Sequence, residues 1–109
     1  FPTRRSSDLA SPFRAVADPT RRRILDLLAA EERSVNELLR HFAISQPALS
    51  QQLKVLREAG LVVVRREGKR RVYALDPRPL RQIHDWVGHY ERFWTDKLDA
   101  LGRFLDGDA

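Results

Sequence analysis

No cysteine occurs in these 109 residues. That excludes disulfides, thiolate metal sites, thiol redox sensing and cysteine nucleophiles, and it leads us to expect a reducing cytoplasm. Long apolar runs are missing too. None approaches the ~20 residues of a membrane span, and no apolar signal-peptide core opens the chain, so no membrane partner is expected. The sequence contains no G-x-S-x-G elbow, phosphate-loop glycine pattern or metal-hydrolase motif. The three histidines lie in predicted helices without a nucleophile beside them. We therefore expect no enzyme and no cofactor. The length allows one small domain with a modest core.

Positive charge is plentiful. Lys and Arg number 20 against 15 Asp and Glu, a net charge of +5. The excess is uneven. Residues 1–79 hold 16 basic and 9 acidic side chains, whereas residues 80–109 hold 4 and 6. A basic body suits a polyanion, and the mildly acidic end suits another task.

Phe1–Leu9 reads FPTRRSSDL, and its back-translation resembles a common sequencing-library adaptor read in frame. We expect a non-native or disordered extension there, ahead of one domain over 10–109. A short helix is predicted over 10–17. Asp18-Pro19 starts a second, running to about Ala30. Ser34 and Glu37 have capping-box spacing and open a third helix, to about Phe42. Ser45 caps a fourth, over 45–59, with Pro47 in its first turn and Gly60 as its stop. Two strands are expected, Leu61–Val64 and Val72–Leu75, turning at Gly68-Lys69. From Leu80 the apolar spacing predicts a single long helix to about Leu105. The fold class is mainly α with a small β-hairpin: a winged helix-turn-helix of order α-α-α-α-β-β-α.

In the fourth helix Leu49, Leu53 and Leu56 share one face and should point inward. That turns Gln46, Ser50, Gln51, Lys54 and Arg57 outward. Amides and hydroxyls can read base edges in the major groove, and Lys and Arg mainly meet phosphates. Gln46, Ser50 and Gln51 are the readout candidates, because the start of a recognition helix reaches the bases. The hairpin carries Arg65, Arg66, Glu67, Gly68, Lys69, Arg70 and Arg71. Five cations with one carboxylate repel one another unless a phosphate backbone lies against them. In the last helix Trp86, Tyr90, Phe93 and Trp94 concentrate aromatics where a partner helix could pack. A two-fold dimer would set two recognition helices about one DNA turn, ~34–36 Å, apart.

The run ISQPALSQQLKVLREAGLVVVRREGKRRVYAL resembles the recognition helix and wing of the ArsR-type family of bacterial repressors. ADPTRRRILDLL and NELLRHF resemble its second and third helices, so the resemblance spans about residues 11–105. It implies a homodimeric, operator-binding repressor of double-stranded DNA whose subunits pair through the first and last helices. Carried over by position, DNA contacts fall on Ser45, Gln46, Pro47, Ser50, Gln51, Gln52 and Lys54, with wing phosphate contacts on Arg70 and Arg71. With our own reading of the hairpin, Arg65, Arg66 and Lys69 join them. The dimer contacts expected are Phe13, Leu80, Ile83, Val87, Tyr90, Trp94, Leu98 and Leu101. Many members of that family have His where Gln52 stands, often after Arg where Gln51 stands, so the preferred operator differs if Gln52 reads a base. Leu39 and His41 occupy the positions of the family's metal-binding cysteines. His84, Asp85 and His89 lie near its alternative site, but two histidines five apart share a helix face poorly. No metal is expected, and no effector is assigned.

The competing reading is a winged helix used as a protein-interaction or heterodimerising module without specific DNA binding. Such a module has no need of a basic wing, and this chain has one. RNA binding lacks an aromatic stacking platform, since Tyr73 stands alone on its strand.

Overall fold

The computed structural model describes residues 11–107. The extension expected at Phe1–Leu9 lies outside them. Each helix start is written in local chemistry. Ser11 accepts the Phe13 N–H at 3.1 Å and opens α1 (Pro12–Ala15), shorter than the spacing suggests. Asp18 accepts the Arg21 N–H at 3.1 Å and opens α2 (Pro19–Ala30). The capping box forms in full: Glu37 N–H donates to Ser34 Oγ at 3.2 Å, and Ser34 N–H donates to Glu37 Oε1 at 3.0 Å. It opens α3 (Val35–Leu39), which closes in a tight turn before the expected Phe42. Ser45 Oγ accepts the Ala48 N–H and opens α4 (Gln46–Glu58).

The end of α4 is a Schellman motif. Gly60 N–H reaches the Arg57 carbonyl and Leu61 N–H the Leu56 carbonyl, both at 3.0 Å. Gly60 has φ +78°, the left-handed geometry this closure demands. Leu56 and Leu61, the pair whose apolar contact accompanies the motif, are fully buried.

Two long strands follow, β2 (Val62–Glu67) and β3 (Arg70–Leu75), longer than the β-branched runs suggest. Their turn is only Gly68-Lys69. Gly68 sits at φ +65° and Lys69 does not go positive, as a type II′ hairpin turn requires. A third strand, β1 (Arg33–Ser34), pairs with β3 and is absent from the sequence reading; two residues are too few to show a period. The antiparallel sheet has order β1-β3-β2. Ile24 and Leu28 of α2, Leu38 of α3, Leu49, Leu53 and Leu56 of α4, and Val62 and Tyr73 of the sheet form one core.

The single long helix expected from Leu80 is instead two: α5 (Leu80–Gly88) and α6 (Glu91–Gly107). At the break His89 and Tyr90 N–H groups bond three residues back, to Trp86 and Val87 carbonyls. Gly88, a poor helix former, stands just before this tightened turn. Leu80 packs against the core, and the edge of Phe13 in α1 meets Trp86 of α5 at 5.8 Å between centroids. Beyond the break the large apolar side chains Phe93, Trp94, Leu98, Leu101, Phe104 and Leu105 are exposed, and the molecule extends over 62 × 40 × 22 Å.

Candidate nucleic acid interface

The leucine spacing of α4 decides which residues it displays. With Leu49, Leu53 and Leu56 buried, Gln46, Pro47, Ser50, Gln51, Lys54 and Arg57 are all exposed. Ser45 is exposed as well; its Oγ holds the cap and its O–H is left to donate. The wing lies alongside. One groove between them is lined by Ser50, Gln51, Lys54, Arg57, Arg71 and Tyr73. A second, at the start of α4, is lined by Asn36, Gln46, Lys69, Arg70 and Arg71 among others. Arg71 borders both and joins helix to wing in one polar, cationic surface.

Gln52 sits apart from this surface. It is half-buried, and its Oε1 accepts from Arg21 Nη1 at 2.8 Å. Arg21 also donates through Nε to the Ala15 carbonyl at 2.7 Å and through Nη2 to the Arg14 carbonyl at 3.1 Å. One guanidinium thus ties the end of α1 and the middle of α4 to α2. Sequence reading missed Arg21, which stands 31 positions from its partner. The position of Gln52, about 40° around the helix from Leu56, is the signal that it borders the buried stripe.

Two of the five wing cations are paired. Arg65 meets Glu32 at 2.7 Å and Glu67 at 3.0 Å, and these carboxylates push its pKa further up. Arg70 meets Glu37 at 3.5 Å and Glu67 at 3.7 Å. The Glu37 carboxyl is held below its ordinary range, chiefly by the Ser34 backbone N–H, then by the Ser34 hydroxyl and, less, by Arg70 and Arg40. Arg66, Lys69 and Arg71 form no ion pair among the described residues.

Among the expected dimer contacts, Phe13, Tyr90, Trp94, Leu98 and Leu101 are exposed, and Leu80, Ile83 and Val87 are half-buried. Trp86 and Phe93 extend this surface, with Trp86 edge-on to Tyr90 at 5.6 Å and Tyr90 tilted against Phe93 at 6.3 Å. His84 Nδ1 lies 3.3 Å from Asp85 Oδ1, and His89 stands in the α5–α6 break. The described residues contain no cluster of three or more His, Asp and Glu side chains arranged to hold a metal. No helix among them is long and apolar enough to cross a membrane.

The model of the bacterial regulatory protein arsR family matches residues 18–64, from the cap of α2 into β2. The HTH-type transcriptional regulator Rv2034 of Mycobacterium tuberculosis is 43% identical over 107 residues, covering 98% of this chain and 95% of that protein. The chain belongs to the arsR family. The transcriptional repressor SdpR of Bacillus subtilis is 36% identical over 75 residues, 69% of this chain and 83% of that protein. A crystal structure described as a possible transcriptional regulator for arsenical resistance is 45% identical, with TM-score 0.64 over 88% of this chain and 93% of that one. This arsR-family member is thus a DNA-binding transcriptional regulator with a winged helix-turn-helix, and the protein-interaction alternative falls away.

Proposed function

We propose that the chain is a cytoplasmic, non-catalytic repressor that binds operator sites in double-stranded DNA as a homodimer. The observation that carries this reading is the continuous surface of α4 and wing, with Arg71 between the two grooves. In it α4 enters the major groove. Gln46, Ser50 and Gln51 address base edges, and Ser45, Pro47 and Lys54 lie against the backbone. Gln52 seats α4 by accepting from Arg21, which turns its carboxamide oxygen toward α2 and leaves the readout to Gln46, Ser50 and Gln51.

The occupant of the exposed α6 face is a second copy of the chain. Trp94 is 54% and Leu98 67% exposed, with Leu101, Phe104 and Leu105 beside them. Large apolar side chains in such a row are costly to leave in water. The same face on a two-fold mate is self-complementary and presents two recognition helices to successive major grooves.

The test is fluorescence anisotropy with a duplex from the DNA upstream of the chain's own coding sequence and a scrambled duplex, at several salt concentrations. A preference on the order of 10³-fold or more is expected. Equal affinity for the two duplexes would sink the repressor reading. Gln46→Ala should relax selectivity at one base pair by ~1–3 kcal/mol.

A further inference from the structure

The register of the hairpin sorts its charges. Alternate residues of a strand face opposite sides of the sheet. Val62 pairs with Leu75, Val64 with Tyr73 and Arg66 with Arg71, so these six share the face that packs on the core and turns toward α4. Arg65 pairs with Val72 and Glu67 with Arg70, so these lie on the opposite face. On that face two guanidiniums meet three carboxylates, from Glu32, Glu37 and Glu67. On the α4 face Arg66 and Arg71 oppose each other directly, a cross-strand pair of like charges that is destabilising until an anion joins it. Lys69 extends the same charge at the turn.

Taking the DNA-binding reading above as its basis, we propose that the wing meets phosphates through Arg66, Lys69 and Arg71 alone. Arg65 and Arg70 are positioning residues. Arg65 ties β2 to Glu32 before β1, and Arg70 ties β3 to Glu37 in the first turn of α3. A hairpin tip without a core of its own is thereby braced at both strands. Arg70 borders the same groove as Gln46 and Arg71. What separates it from Arg71 is charge: its guanidinium is shared between two carboxylates, and that of Arg71 is not.

The test measures the slope of log affinity against log salt on a scrambled duplex, so that it needs no sequence preference. Each phosphate contact contributes about 0.9 to that slope, roughly 3-fold in affinity between 50 and 200 mM salt. Arg66→Gln and Arg71→Gln should each lower the slope by about one. Arg65→Gln and Arg70→Gln should leave the slope where it was, whatever they do to the affinity. Glu37→Gln is the complementary variant. Glutamine also serves at this position of a capping box, so α3 keeps its start while Arg70 loses the nearer of its two carboxylates and keeps Glu67. Its slope should steepen, by up to about one. The proposal is overturned if Arg70→Gln flattens the slope as much as Arg71→Gln, or if Glu37→Gln combined with Glu67→Gln, which removes both carboxylates from Arg70, leaves it unchanged. A chain that shows these slopes yet has no preference for its own upstream DNA contradicts the operator reading and leaves the division of the wing standing.

Discussion

At the scale of single residues, three side chains carry more than their own position. Arg21 holds two α1 carbonyls and Gln52 at once. A hydrogen bond from a charged group in a half-buried site is worth about 1.5–3 kcal/mol. Removing Arg21 and Gln52 singly and together, with urea denaturation as the readout, should give a coupling energy of about 1 kcal/mol or more. Additive losses would mean that the pair does not cooperate. Asp76 is the third. Arg78 donates to both its oxygens at 2.6–3.2 Å and through its backbone N–H, and the carboxyl pKa falls to about 2. A depressed carboxylate stabilises the fold above its unfolded pKa of about 4, and the contribution fades as pH drops through about 2. Carboxyl-carbon NMR should place Asp76 near 2 in the native chain and back toward 3.8 in Arg78→Ala.

At the scale of elements, the decisive piece is the corner between α4 and β2. The left-handed Gly60 lets two carbonyls of α4 be satisfied and turns Leu61 into the core. A Cβ added there would adopt φ +78° and sit 3.4 Å from Pro79 Cγ. The backbone cost of such a conformation is about 1–2 kcal/mol, so Gly60→Ala should lower the unfolding free energy by that much in urea denaturation. An unchanged midpoint would show that the corner can re-form without glycine. Gly68→Ala carries the same backbone strain in open space. The hairpin shares the core through Val62 and Tyr73, so unfolding free energy should fall here too, and DNA affinity should weaken with it because the turn carries Lys69. The break between α5 and α6 is also an element-scale event. An apolar period passes through Gly88 unbroken, so periodicity predicts one helix; the switch to three-residue hydrogen bonds at His89 and Tyr90 makes two.

At the scale of the whole molecule, the compact winged helix and the exposed α6 have different needs. The core is complete without α6, whose apolar row lies open. Leu98→Asp should therefore leave the winged-helix domain folded while placing a charge in the pairing face. Under the proposed pairing, sedimentation velocity at micromolar concentration should then report monomers for the variant and dimers for the native chain, and operator affinity should fall because two half-sites are no longer joined. A native chain that sediments as a monomer contradicts the pairing itself.

The local chemistry of this chain is legible in its residues alone. Capping residues at Asp18, Ser34 and Ser45, the stop at Gly60, the turn at Gly68 and the leucine stripe of α4 act between near neighbours, and each does what its spacing along the chain dictates. The polar face of α4 follows from the same stripe. Tertiary structure alone decided the rest. It brought Arg21 to the carboxamide of Gln52, added Arg33–Ser34 as a third strand, and split the wing's cations between a neutralised face and a bare one. Those outcomes depend on groups far apart along the chain. Charge pairing is set by distance in space, and only the folded register brings Glu32 and Glu37 to the arginines of one face while leaving Arg66 and Arg71 without a carboxylate among the described residues.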